Sequence, residues 1–299
     1  MVMPLTELEA YYRKQRAISF HNGEPIRGIV WRKRTHGLLH VLLTVNRVFS
    51  GLKLTVIDGR RPRTNKPLIY ACTHVGRYDI EMAIQLIHTS AHLLMGDPGS
   101  VYKNFDGAAL WLNGVIFVDT AYKEDRYVGK ESCIKLLEQG GSLLIFPEGA
   151  WKIKENQIVM PLFTGTAEIA IRVGAEIVPI AIERYDKHYY ANIGENISPD
   201  GYTPEQKQEL TDLLRDTLCA LKWDIWTQFP SVSRANISPN AAQQFVDNIM
   251  RETENGYTVE EIIRTRFHTK KVTTEEAFDY LANLQINRSN AFLLNKKFQ

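Results

Sequence analysis

An α/β fold, with a mixed, largely parallel sheet covered by helices, is the architecture the sequence predicts. Three observations predict it. Short apolar runs of strand length recur between residues 52 and 198. Segments whose apolar residues fall at helical spacing separate those runs. From Thr203 onward the strand-like runs stop and the chain reads as helices, several opening on capping signals such as "SPNAAQ" and "TTEEA". Strands alternating with helices connect by right-handed crossovers, which leaves helices on the faces of the sheet. The 299 residues suffice for one large domain with an appendage. The expected division is residues 1–51 as an N-terminal amphipathic segment, 52–198 as the α/β domain and 199–299 as a helical C-terminal extension.

The first segment is marked between Ile26 and Gly51. Trp31, Arg32, Lys33 and Arg34 precede Leu38, Leu39, Val41, Leu42 and Leu43. The apolar run is shorter than the roughly 20 residues needed to span a bilayer. A basic, Trp-flanked helix of this length either lies in a membrane interface, its cations meeting lipid phosphates, or forms a buried core helix with a solvated lead-in. This stretch alone leaves both open.

Leu52 to Asp58 alternates like a half-buried strand, and Pro67 to Thr73 is a near-continuous apolar run. Ile80 to His88 places Ile80, Ala83, Ile84 and Ile87 at helical spacing. "AHLLMG" and "GVIFVD" read as short strands flanking a helix over Gly107 to Asn113. Glu124 to Gln139 reads as a helix stopped at Gly140 and Gly141. "SLLIFPEG" is a buried strand running into a turn. Phe163 to Val173 is helical, and "AEIVPIAIERY" and "HYYANIGENI" follow as strands. In the extension, helices are expected over Pro204 to Trp226, Asn240 to Glu254, Thr258 to Phe267 and Thr274 to Leu284.

Composition narrows the function classes. A formal net charge of +2 gives no support to a nucleic-acid binder, so polyanion or membrane contact must come from a local patch. Cys72, Cys133 and Cys219 form no CxxC pair, which fits free thiols in a reducing compartment. The first residues carry no apolar core followed by a small-residue cleavage site, so a cytoplasmic protein is expected. No Gly-x-Ser-x-Gly elbow, Gly-x-Gly-x-x-Gly loop or P-loop lysine appears. His36 with His40, and His88 with His92, have four-residue spacing but lack a clear third ligand, so no metal site is expected.

Chemistry concentrates at "THVGRYD". His74 falls at the end of a buried strand, where α/β sheets commonly present functional groups. On one continuous helix His74 and Asp79 would lie roughly 140° apart, too far round to meet. A strand end, a short loop and a helix starting near Asp79 can instead fold them together. The aspartate then accepts from one imidazole nitrogen and leaves the other to take a proton from a hydroxyl. Alternatively, Asp79 caps the helix and His74 is incidental. Downstream, Phe146-Pro147 stops a strand, Glu148 sets a carboxylate at its exit, and Gly149 allows close backbone approach.

These segments together resemble the PlsC-like glycerolipid acyltransferases. The shared pattern is His74, four residues and Asp79; the block Gly114 to Val118; Phe146 to Gly149; and Val178-Pro179. It covers about Leu52 to Glu183. The resemblance implies an O-acyltransferase in which His74 is the general base and Asp79 its orienter. The donor would be an acyl thioester of coenzyme A or acyl carrier protein, a co-substrate, with no cofactor. The acceptor would be a lysophospholipid-like hydroxyl such as that of 1-acylglycerol-3-phosphate. Glu148 and Gly149 would help form the acceptor site, and the Val75 and Gly76 amides would meet the oxyanion. A membrane surface becomes an expected partner, with peripheral association at its cytoplasmic face.

Two positions depart from the family's pattern. Thr120 stands where its second block ends in arginine, and Ala150-Trp151 where Thr-Arg usually follows Phe-Pro-Glu-Gly. A bidentate guanidinium contact to phosphate is not replaced by threonine or tryptophan. Either Arg77, Lys152, Lys154 or Arg184 supplies the charge, or the acceptor is a glycolipid, sugar or amine without phosphate. Trp151 suits the latter, since an aromatic face packs on a sugar or acyl chain. A catalytically idle lipid-binding homologue is the remaining alternative.

Overall fold

The computed structural model describes residues 5–96, 105–153 and 157–251, together with residue 259. Two helices open the chain, α1 (Leu5–His21) and α2 (Ile29–Phe49). α1 has no counterpart in the expectations above, because no apolar stripe marks it. Charge pairing holds it instead: Arg13 reaches Asp119 at 2.7 Å, and Arg16 makes a forked contact with the buried Asp125 at 2.6 and 3.1 Å.

The sheet has seven strands among the described residues: β1 (Lys53–Gly59), β2 (Leu68–Cys72), β3 (His92–Met95), β4 (Val115–Phe117), β5 (Leu143–Ile145), β6 (Glu176–Tyr185) and β7 (His188–Ile193). Their spatial order is β1-β7-β6-β2-β5-β3-β4. β6, β2, β5, β3 and β4 run parallel, while the β6–β7 hairpin is antiparallel and β1 follows β7. The mixed, largely parallel sheet is therefore the predicted one. The last predicted strand is shorter than its apolar run: β7 ends at Ile193, and Ile197 makes only an isolated bridge to Ile177.

Helices cover both faces. α2 and α3 (Asp79–Leu86) lie on the side of Tyr70, Cys72, Leu144 and Ile180. α5 (Lys123–Glu138), α6 (Gly165–Val173) and α7 (Lys207–Trp226) cover Ile69, Ala71, Leu143 and Ile177. α4 (Phe105–Asn113) packs against α2. Leu210, Leu214 and Leu218 of α7 join the same core as α6, so this part of the C-terminal extension is a layer of the α/β unit. α8 (Ala241–Met250) follows it; the helices expected over Thr258 to Phe267 and Thr274 to Leu284 lie outside the described residues.

α2 divides its apolar residues between two faces. Leu39 and Leu43 are buried against the core, at 4% and 1% exposure. That corrects the grouping of Leu39 with the interfacial residues: it points at the sheet. Leu38, Val41, Leu42, Val45, Val48 and Phe49 form the opposite, exposed face, Phe49 being 88% exposed. Trp31 packs beside Trp111 of α4 at 5.8 Å, with Arg32 stacked on it at 4.6 Å; Lys33 donates to the Gly140 carbonyl, and Arg34 is exposed. No described helix is long and apolar enough to cross a membrane.

Candidate active site

β2 and β5 are parallel neighbours with Ala71 opposite Ile145, so their C-terminal exits lie side by side. This adjacency brings "THVGRYD" and "FPEG" together. Thr73 locks the β2 exit onto β6, donating through Oγ1 to the Ile182 carbonyl (3.0 Å) and accepting its amide (2.8 Å). His74 follows at the edge. Its main-chain N–H donates to Glu148 Oε1 (2.9 Å), and its carbonyl accepts from Lys152 N (2.9 Å).

The His74 and Asp79 side chains do meet. Nδ1 lies 2.8 Å from Asp79 Oδ2, at the first residue of α3. Oδ2 also accepts the Val75 and Gly76 amides, at 2.6 and 2.9 Å. Asp79 is fully buried, and its Oδ1 has no hydrogen-bond partner. An ionised carboxylate at Nδ1 requires a proton there, which leaves Nε2 with its lone pair. Among the described residues no hydrogen bond engages Nε2, and the side chain is 17% exposed. The imidazole lies between Phe146, at 4.5 Å, and Trp151, edge-on at 6.0 Å. The arrangement can take a proton at Nε2 and hold the resulting imidazolium against a buried anion.

Two expectations are corrected by these contacts. The Val75 and Gly76 amides point at Asp79, so an oxyanion needs other donors. Glu148 is also fully buried, with Oε1 on His74 N and Oε2 on Met160 N (2.8 Å). Both oxygens serve the backbone, so Glu148 clasps the two strand exits instead of facing an acceptor. Gly149 has φ +66°, and a Cβ there would lie 2.4 Å from the Phe163 ring, so the glycine is required by the turn and the close approach together.

The other acceptor candidates separate. Arg77 is exposed and stacks on Tyr78 at 5.3 Å. Thr120 is exposed just after β4, three strands from β2, and its carbonyl accepts from Arg126. The Lys152 ammonium turns inward beneath the C-terminal helices, 5.1 Å from the Trp226 ring and 5.7 Å from Phe245. Burial, helped by the nearby Lys222 charge, pushes its pKa down to about 8. Lys222 pairs with Glu183 at 3.2 Å. Burial favours the neutral acid at Glu183, but Lys222, Lys152 and the Trp226 Nε1–H bond (2.8 Å) outweigh it and hold the pKa below its ordinary value. Arg184 donates to the Asp186 carbonyl, and Lys154 lies outside the described residues.

Sequence reasoning missed Thr73 and Met160 as the frame of the site; Met160 acts through its backbone amide, which leaves no motif, and Phe146 of the Phe-Pro-Glu-Gly turn adds its ring. Cys72 is fully buried, and burial followed by the Asp79 charge drives its thiol well up, which disfavours a thiolate beside His74. His36 and His40 each place Nε2 2.9 Å from a carbonyl at the end of α3, Ile87 and Gln85, so their spacing serves helix packing.

Comparison with known proteins agrees with this geometry. The Acyltransferase family profile matches residues 53–183. The 1-acyl-sn-glycerol-3-phosphate acyltransferase alpha of Mus musculus is 22% identical over 204 residues, which covers 64% of this chain and 70% of the mouse protein. The 1-acyl-sn-glycerol-3-phosphate acyltransferase of Borreliella burgdorferi is 21% identical over 198 residues, covering 60% and 76%. In fold, the chain resembles crystalline PlsC, the 1-acyl-sn-glycerophosphate acyltransferase of Thermotoga maritima. The TM-score is 0.54 at 14% identity, over 75% of this chain and 91% of that one. With the strand-end histidine, its aspartate and the Phe-Pro-Glu-Gly turn in one place, residues 53–183 match the Acyltransferase family and the fold resembles that of PlsC.

Proposed function

We propose that this enzyme transfers a fatty acyl group from coenzyme A or acyl carrier protein to a hydroxyl of a lysophospholipid-like acceptor at a membrane surface. The observation that carries the reading is the 2.8 Å contact of His74 Nδ1 with buried Asp79, which leaves Nε2 as a base. The acceptor oxygen attacks the thioester carbonyl carbon as its proton passes to Nε2. The C–O bond forms, the C–S bond breaks, and the thiolate takes the proton back from the imidazolium. No acyl-enzyme forms, because a thioester is activated enough for one base and good positioning. The exposed apolar face of α2, flanked by Trp31, Trp111 and Arg34, supports peripheral attachment at the cytoplasmic face of a membrane. Substituting His74 by Ala abolishes transfer while the chain stays folded; retained turnover overturns the assignment.

A second reading of the acceptor is favoured by the placement of charge. Among the acceptor candidates within the described residues, Arg77 is the exposed cation, since Lys152 is inward, Arg184 is half-buried and Thr120 and Trp151 carry no charge. An acceptor without phosphate fits that scarcity. Incubating enzyme and acyl-coenzyme A with lysophosphatidate, glycolipid, sugar and amine acceptors, and weighing the products, separates the two. Strong preference for lysophosphatidate refutes the second reading. Absence of every product, with lipid binding retained, points to an idle homologue.

A further inference from the structure

We propose that the cavity between α1, the start of α2 and the β4 edge binds a phosphate-type oxyanion, recognised by Arg32 and His92. The cavity measures about 320 Å³, the lower end of small-molecule sites. Arg16, Arg27, Arg32 and Lys135 line it with His92; Arg16 is paired with Asp125, Arg27 with Glu24, and the Lys135 ammonium donates to the Gly23 and Glu24 carbonyls.

Two polar groups inside it lack partners. His92 is 3% exposed, and neither ring nitrogen has a hydrogen-bond partner. Arg32 spends Nη1 on the Arg27 carbonyl (2.7 Å) and Nη2 on the Trp111 carbonyl (3.2 Å), while its buried Nε has none. Each unmatched buried donor forfeits its solvation with no return, which marks the pair as awaiting an acceptor. Burial and then the Arg32 charge push the His92 pKa down to about 4, so near neutral pH its imidazole is uncharged and carries one N–H.

The fold holds Arg32 in this place. Gly28 has φ +86°, and a Cβ on it would lie 2.1 Å from Arg32 Nη1. Two of the five guanidinium N–H donors are committed, so Nε–H and one N–H on each Nη remain, and together with the imidazole N–H they suit an oxyanion whose oxygens diverge. The site is separate from His74: His92 starts β3 at the level of Leu143 and Ile69, whereas His74 lies past the other end of β2. Stacking of Arg32 on Trp31, beside the exposed face of α2, makes a lipid headgroup one source of the phosphate and a soluble phosphomonoester the other.

The test follows His92 imidazole resonances in the full chain as inorganic phosphate or glycerol phosphate is added against chloride at matched ionic strength. In parallel, sedimentation onto phosphatidylcholine vesicles is measured with and without phosphatidate. Saturable shifts with the soluble phosphates assign a free-phosphate site; shifts only with phosphatidate vesicles assign a headgroup site. In either case Arg32→Gln weakens the response by about tenfold or more, the loss of a charge-assisted contact. His92→Gln, read by thermal stabilisation with the same probes, serves if the first variant does not fold. Shifts equal to those in chloride, no saturable response to any phosphate probe, or unchanged affinity in both variants overturns the proposal.

Discussion

Replacing Asp79 by Asn isolates the contribution of one buried negative charge. Oδ2 accepts from His74 Nδ1, Val75 N and Gly76 N, while Oδ1 accepts from nothing. The asparagine oxygen therefore settles at the Oδ2 position, because an NH₂ group there would face two backbone donors. Nδ1–H keeps its acceptor, and the reactive tautomer is retained. What disappears is the charge that meets the imidazolium as the proton moves. Charge-assisted bonds contribute about 1–1.5 kcal/mol more than neutral ones, so kcat/KM falls roughly 5- to 15-fold. Where Asn forces the wrong tautomer the loss is about 10⁴-fold, a separable outcome. Asp79→Ala behaves differently, stranding two buried amides at a cost of about 2–6 kcal/mol in stability. Initial rates of thiol release, read beside denaturant melts, measure both. A wild-type rate in Asp79→Asn refutes the charge argument, and a 10⁴-fold loss refutes the three-bond anchoring of Oδ2.

The clasp predicts that Glu148→Gln loses about 1–3 kcal/mol of stability, since its NH₂ would face either the His74 or the Met160 amide. Its kcat/KM should fall for donor and acceptor alike; a rise in acceptor KM alone would restore the acceptor-binding role. Gly149→Ala should cost about 1–2 kcal/mol for the left-handed backbone plus the Phe163 overlap, and Phe163→Leu should recover part of the latter in a double-mutant cycle. Leu38→Ser with Phe49→Ser should weaken vesicle partitioning by about 3 kcal/mol without unfolding the chain, whereas Leu39→Ala should cost about 2–5 kcal/mol of stability. Lys152 titrates near 8 when folded and at its ordinary 10.5 when unfolded, so its buried charge is a steady cost below pH 8. Unfolding takes up a proton between those values, so this group makes stability rise with pH there, by at most about 1.4 kcal/mol per pH unit. Lys152→Met should remove that rise in pH-dependent melts compared with the parent chain.

The strands were legible because buried parallel strands leave near-continuous apolar runs, as over Leu68 to Cys72, and turn residues bound them. The His74–Asp79 meeting was legible only as a junction of strand, loop and helix, since helical spacing alone would have separated them. Glu148 was misread because its partners are backbone amides 74 and 12 residues away, and amides carry no sequence signal. Leu38 and Leu39 differ by one step on a helix. Which of them faces inward depends on where the sheet and α3 sit, and α2's own sequence does not contain that. α1 escaped notice for a related reason: Arg16 finds Asp125 a further 109 residues along.

The two buried carboxylates divide the labour that a motif would assign to one site. Asp79 gathers the loop after β2 by taking two amides on the oxygen that also holds His74, so the imidazole is oriented by the atom that shapes its loop. Glu148 ties that same strand exit to Met160, in the segment leading towards α6. Lys152 then continues the frame outward, its backbone on His74 and its ammonium beneath Trp226 of α7. Ordering is thus built from below by carboxylates and from the side by the C-terminal helices. Loosening either should lower turnover without touching a reacting atom. This also explains why the cations near the turn do not gather on an acceptor: Lys152 is engaged in packing, and Trp151 occupies the face beside the imidazole. On the proposed function, exchanging Trp151 for Arg is the substitution that should shift preference towards phosphorylated acceptors.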